Sequence, residues 1–68
     1  MNKPLPKRVS RSLASRVALD AMLNSADVMD DPDLLANAFT GLATMFRHGK
    51  KTVSRSTFTD WLNAVLEP

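Results

Sequence analysis

The chain has 68 residues, which is enough for one domain. It contains no cysteine and a single histidine, so disulfides, thiolate zinc sites and cysteine nucleophiles are excluded, and we expect no metal and no cofactor. No apolar run approaches the roughly 20 residues that cross a bilayer, and no apolar segment of a secretory signal follows the basic N-terminus. We therefore expect a soluble, cytoplasmic protein without membrane contact.

The net charge of +2 conceals a strong segregation of charge along the chain. Residues 1–16 hold five lysines and arginines and no acid, and residues 17–46 hold five aspartates and no base. Residues 47–55 then hold four further cations. Blocks of this kind give a folded molecule a dipolar surface unless they pair internally.

Residues 1–9 are predicted to form a flexible basic arm. Pro4 and Pro6 push the residues before them toward extended backbone, and the segment has little apolar content. Residues 10–68 are predicted to form a single all-α domain, because no alternating apolar pattern competes for a strand. No internal repeat is expected.

The first of three predicted helices covers about residues 11–27. Ser10 or Ser12 can accept a hydrogen bond from its free backbone N–H groups. Leu13 and Val17 lie on its apolar face, and further apolar residues widen that face toward a second side.

The second helix is predicted over residues 32–48, from the strongest local signal in the chain. Asp31 is a preferred N-cap, and Pro32 suits the first helical position. The negative charge of Asp33 interacts favourably with the positive end of the helix dipole. An unbroken apolar stripe follows, and Gly49 supplies the left-handed residue that commonly ends a helix.

The third helix is predicted over residues 54–66. Ser54 is the expected cap, and Val53 and Phe58 stand at hydrophobic-staple spacing around it. The predicted core of this small three-helix domain consists of Phe39, Leu42, Phe46, Phe58, Trp61 and Leu62.

Catalytic and metal-binding patterns are absent from the sequence, so we expect a protein that is not an enzyme. His48 lies in a solvated basic run, where it suits the negative end of a helix better than a catalytic dyad. The aspartates near residue 30 lack the glycine and the bidentate acid that an EF-hand loop requires. We interpret them as helix caps.

The segment VSRSTFTDWL resembles the second helix of a helix-turn-helix, which follows a glycine-terminated helix and enters the major groove. The basic arm and the cations near Gly49 would then contact phosphates. The residues expected to contact nucleic acid are Lys3, Lys7, Arg8, Arg11, Arg47, Lys50, Lys51, Arg55, Ser56, Thr59 and Asn63. An ordinary helical hairpin whose serines and threonines are caps is the alternative interpretation.

The leading hypothesis is a regulatory protein that binds nucleic acid. The alternative is a protein-binding regulator or inhibitor, of the type found in phages or plasmids, that docks on a host protein through an apolar helix face. Helix one carries apolar residues on more than one side, and a homodimer would shelter that surplus area.

Overall fold

The computed structural model describes residues 4–67. In this range four α-helices and two short strands follow one another in the chain. They are β1 (Arg8–Ser10), α1 (Arg11–Leu23), α2 (Ala26–Met29), α3 (Pro32–Met45), a 3₁₀ turn (Arg47–Gly49), β2 (Thr52–Ser54) and α4 (Arg55–Leu66). The protein is mostly helical, as predicted, but the described residues also form a small sheet that the three-helix prediction lacks.

The sheet is an antiparallel ribbon of β1 and β2, in which Val9 stands opposite Val53. Both valines are buried, and Val9 has no exposed surface. The predicted flexible arm is therefore wrong for Arg8 and Val9. Each strand has only three residues, so neither shows the alternation by which a strand is recognised in a sequence.

The residues just before β1 are also held in place. The side chain of Leu5 packs against the core. The backbone N–H of Arg55 donates to the carbonyl oxygen of Lys7 over 2.9 Å. This bond extends the pairing of the two segments by one position, so the described part of the arm belongs to the folded domain. Lys3 lies outside the described residues.

The same sequence pattern, K-x-V-S-R-S, occurs twice, at positions 7–12 and 51–56, and each copy contains a strand and the first two residues of the helix that follows it. The prediction of no internal repeat is therefore wrong. Ser10 and Ser54 are the N-caps of α1 and α4, and each hydroxyl accepts the backbone N–H three residues later at 3.2 Å. Because the two repeated valines face each other in an antiparallel pair, the two copies of the segment are related across the ribbon by an approximate two-fold axis.

The first predicted helix ends early, at Leu23 rather than at residue 27. Ser25 interrupts it because its side chain accepts the N–H of Val28 at 3.4 Å and starts the separate helix α2. Val28 is fully buried, so the break lets α2 turn an apolar side chain into the core.

The second predicted helix begins as expected, with Asp31 as N-cap and Pro32 in the first turn. It ends at Met45, three residues before the predicted end. His48 and Gly49 have φ angles of 64° and 74°, which an α-helix cannot continue. The expected left-handed conformation of Gly49 is confirmed.

The core is built from small and medium side chains around one aromatic ring. Its buried members are Val9, Ala14, Ala18, Met22, Val28, Ala38, Val53, Phe58 and Val65. Of the predicted core residues, Phe58 is fully buried. Four others are half-buried and pack against the buried core, and these are Leu42, Phe46, Trp61 and Leu62. The prediction is wrong for Phe39, which is 45% exposed, because α3 turns Ala38 inward instead.

None of the helices formed by residues 4–67 is both long and apolar enough to cross a membrane.

Candidate nucleic-acid interface

The fold separates the charge blocks of the sequence into two ends of the molecule. α1 and α4 begin at the ribbon, and α3 runs back toward it, since Thr44 and Met45 share a cleft with β2. The basic end consists of Lys7, Arg8, Arg11, Arg47, Lys50, Lys51 and Arg55. The acidic end consists of Asp20, Asp27, Asp30, Asp31 and Asp33, near the end of α1, in and after α2 and at the start of α3.

The two ends lie apart because α3 connects them. Its 14 residues extend about 21 Å at the usual rise of an α-helix. All seven cations of the basic end are exposed. No hydrogen bond within residues 4–67 joins a lysine or arginine side chain to a carboxylate. The cations of the basic end are therefore not neutralised internally by such bonds.

A cleft of about 510 Å³ runs beside β2 at the basic end, and we call it the ribbon cleft. Its lining residues are Arg8, Thr44, Met45, Lys50, Lys51, Thr52, Val53, Ser54 and Thr57. Among the described residues, those that line it include three cations and four hydroxyl groups but no acid. Such a lining suits an anionic ligand that accepts hydrogen bonds.

Arg8 is held across the ribbon by Thr52. Its Nε donates to Thr52 Oγ1 and its Nη2 donates to the Thr52 carbonyl oxygen, both over 3.2 Å. A guanidinium carries five N–H donors, so three remain for a ligand. Because two bonds already orient the side chain, less rotamer entropy is lost when the remaining donors bind.

Arg55 is held in a similar way, at the end of the ribbon where Arg8 pairs with Ser54. Its Nη1 donates to the carbonyl oxygen of Leu5 over 2.9 Å. Arg55 and Arg11 are the first residues of α4 and α1, and neither helix has an acid in its first turn. Cations at this end of a helix oppose the helix dipole, so these arginines do not serve helix stability.

The structure brings six of the predicted residues to the ribbon, and these are Lys7, Arg8, Arg11, Lys50, Lys51 and Arg55. Arg47 lies in the 3₁₀ turn after α3. Ser56, Thr59 and Asn63 follow one stripe of α4 away from the ribbon, and Thr59 is half-buried. Exposed Asp60 lies among them.

The segment between α3 and α4 differs from a helix-turn-helix. Residues 46–54 contain a 3₁₀ turn and strand β2, whereas the turn of that motif has about three or four residues. The helix-turn-helix geometry is therefore wrong, because the connecting segment pairs with β1 instead of turning directly into α4.

The outward hydroxyls of the ribbon were not predicted as a surface. Successive side chains of a strand point to opposite faces. With Val9 and Val53 turned inward, the side chains of Ser10 and Thr52 share the outer face with Arg8. The repeated K-x-V-S-R-S segment is the sequence signal that could have identified this arrangement.

Within residues 4–67, no three side chains of histidine, cysteine, aspartate or glutamate are grouped so that they could hold a metal ion. His48 is exposed and does not line the ribbon cleft. Comparison with protein-family models, with curated proteins and with solved structures finds no match to this chain.

Proposed function

We propose that the protein is a non-enzymatic regulatory protein that binds nucleic acid through its basic end. The observation that carries the proposal is the ribbon cleft, in which Arg8, Lys50 and Lys51 lie together with hydroxyl groups and without a carboxylate. A phosphate backbone offers this surface closely spaced negative charges and hydrogen-bond acceptors.

The distribution of charge over the whole molecule supports the same proposal. Five of the six aspartates that would compete with phosphates for these cations belong to the acidic end, and the sixth is Asp60 in α4. The molecule can therefore approach a polyanion with its basic end foremost and keep its acidic end in solvent. An interaction of this kind weakens steeply with added salt, because the released counterions supply much of the affinity.

The proposal is tested by reversing one charge inside the ribbon cleft and one outside it. Lys51→Glu is compared with Arg16→Glu, which removes an exposed cation from the middle of α1. Fluorescence anisotropy with a mixed-sequence DNA duplex at low salt should show binding in the micromolar range. The salt dependence of binding should become shallower by about one unit of slope for Lys51→Glu and change little for Arg16→Glu.

Equal losses for the two variants would show that net charge alone drives the binding. Absence of binding at tens of micromolar protein would refute the nucleic-acid function. The double variant Lys50→Glu/Lys51→Glu should nearly abolish binding, with circular dichroism confirming that its helices remain.

A second candidate function is docking on another protein, and the apolar surface of α1 favours it. Leu19 is 47% exposed and Leu23 is 59% exposed, one helical turn apart on the same face. A protein partner or a second copy of the chain could cover them. This function predicts that the Lys50→Glu/Lys51→Glu variant keeps its partner.

A further inference from the structure

The outer face of the ribbon is suited to read base edges as well as to contact phosphates. Arg8 and Thr52 lie on this face, and neither is bonded to an acid. The hydroxyl of Thr52 accepts from Arg8 Nε, so its own proton is free to donate. With the three free N–H groups of Arg8, the face presents several hydrogen-bond donors to a ligand.

Each end of the ribbon carries one lysine and one arginine. The backbone bond from Arg55 to Lys7 places these two residues opposite each other at one end. The register that pairs Ser10 with Thr52 places Arg11 opposite Lys51 at the other end. Both pairs follow from the repeated segment, so the approximate two-fold axis relates one pair to the other.

The distance between the two lysine–arginine pairs matches the width of the major groove of B-form DNA, and it matches neither the minor groove of B-form DNA nor the major groove of A-form RNA. Positions 7 and 11 are separated by about 13 Å along an extended strand, which is close to the roughly 12 Å width of the B-DNA major groove. The minor groove is only about 6 Å wide, and the major groove of A-form RNA is too narrow and deep for side chains to read.

We propose that the partner is a B-form DNA duplex and that the outer face of the ribbon enters its major groove. Arg8 donates to purine acceptors, most favourably O6 and N7 of guanine. The two lysine–arginine pairs start on the side of the ribbon that carries Val9 and Val53, and their long exposed side chains extend past the ribbon ends to the phosphates on either side of the groove, one pair on each DNA strand. This inference rests on the proposed nucleic-acid function.

The choice of duplex is tested by anisotropy titrations at one salt concentration. The probes are a DNA duplex, an RNA duplex of the same sequence and the corresponding single DNA strand. The DNA duplex should bind at least about tenfold more tightly than the other two. Equal or tighter binding of the RNA duplex or the single strand would overturn the major-groove inference and leave the nucleic-acid function standing, whereas no binding to any probe refutes both.

The role of the ribbon is tested by methylating guanine N7 in the DNA duplex, which blocks an acceptor in the major groove. Methylation should weaken binding of the unaltered protein several-fold. Arg8→Ala removes the donors that contact guanine, so this variant should bind more weakly and be insensitive to methylation. Arg16→Ala, which removes a cation outside the basic end, is the matched control and should keep the sensitivity. An unaltered protein that is indifferent to methylation would overturn the proposal.

Discussion

Gly41 lies in the middle of α3 with the indole ring of Trp61 directly against its Cα. A Cβ atom at this position would lie 2.5 Å from Trp61 Nε1 and 3.2 Å from Cδ1. Glycine within a helix costs about 1 kcal/mol relative to alanine. The close approach of α4 to α3 therefore depends on a residue that helix propensity disfavours.

Gly41→Ala is expected to destabilise the fold although it improves helix propensity. The added methyl group must displace the indole, which also contacts the buried ring of Phe58 with a centroid distance of 5.7 Å. Overpacking of this kind costs about 1–3 kcal/mol, measurable by urea unfolding followed through the fluorescence of Trp61. Asn37→Ala, at an exposed position of α3, is the control and should raise the free energy of unfolding by a few tenths of a kcal/mol. A Gly41→Ala protein as stable as that control would contradict the packing described.

Among the elements, α3 was the most predictable because its start is encoded by neighbouring residues. Asp31 Oδ1 accepts the N–H groups of Asp33 and Leu34, both over 3.1 Å. Pro32 follows in the first turn, where its missing N–H costs nothing. Each of these interactions lies within four residues and can be read from the sequence alone.

Asp31→Ala is expected to lower the free energy of unfolding by about 1 kcal/mol through loss of the cap. Asp31→Asn keeps a side-chain oxygen that can accept the same bonds and should recover most of that loss. Asp30→Ala is a neighbouring exposed control, because its side chain makes no hydrogen bond among the described residues. Thermal unfolding of the three variants measures the difference, and equal melting temperatures for Asp30→Ala and Asp31→Ala would contradict the cap.

The ribbon shows why other parts of the fold and site were not predictable. β1 and β2 pair across a sequence separation of 44 residues, as the bonds from Arg8 to Thr52 show. Three-residue strands carry no periodicity of their own, so only the tertiary fold defines them. The individual cations were identified from local charge, but their convergence on one cleft and the outward position of Thr52 depend on that distant pairing.

For the molecule as a whole, the separation of charge lowers the stability of the helices that begin at the basic end. α2 and α3 each have an aspartate in the first turn, where it stabilises a helix. α1 and α4 start with Arg11 and Arg55 instead. A fold that places cations where acids would be favourable is typical of a surface kept for a ligand.

Arg11→Glu is therefore expected to stabilise the protein and weaken nucleic-acid binding together. The gain is about 0.3–1 kcal/mol at low salt, or a rise in melting temperature of a few degrees, and it should shrink as salt screens the charge. Calorimetry and anisotropy on the same preparation measure both effects. Arg11→Gln should give roughly half of each change. A less stable Arg11→Glu protein would show that Arg11 supports the helix instead.

Under the proposed function, the origin of the ribbon in two distant stretches of chain also determines which forms of the protein can bind nucleic acid. One stretch supplies Lys7 and Arg11 and the other supplies Lys51 and Arg55. Closing the long loop between them costs entropy that only the completed tertiary structure repays. Proteolytic fragments and half-folded intermediates that retain either stretch alone would then be poor competitors for the target of the intact protein.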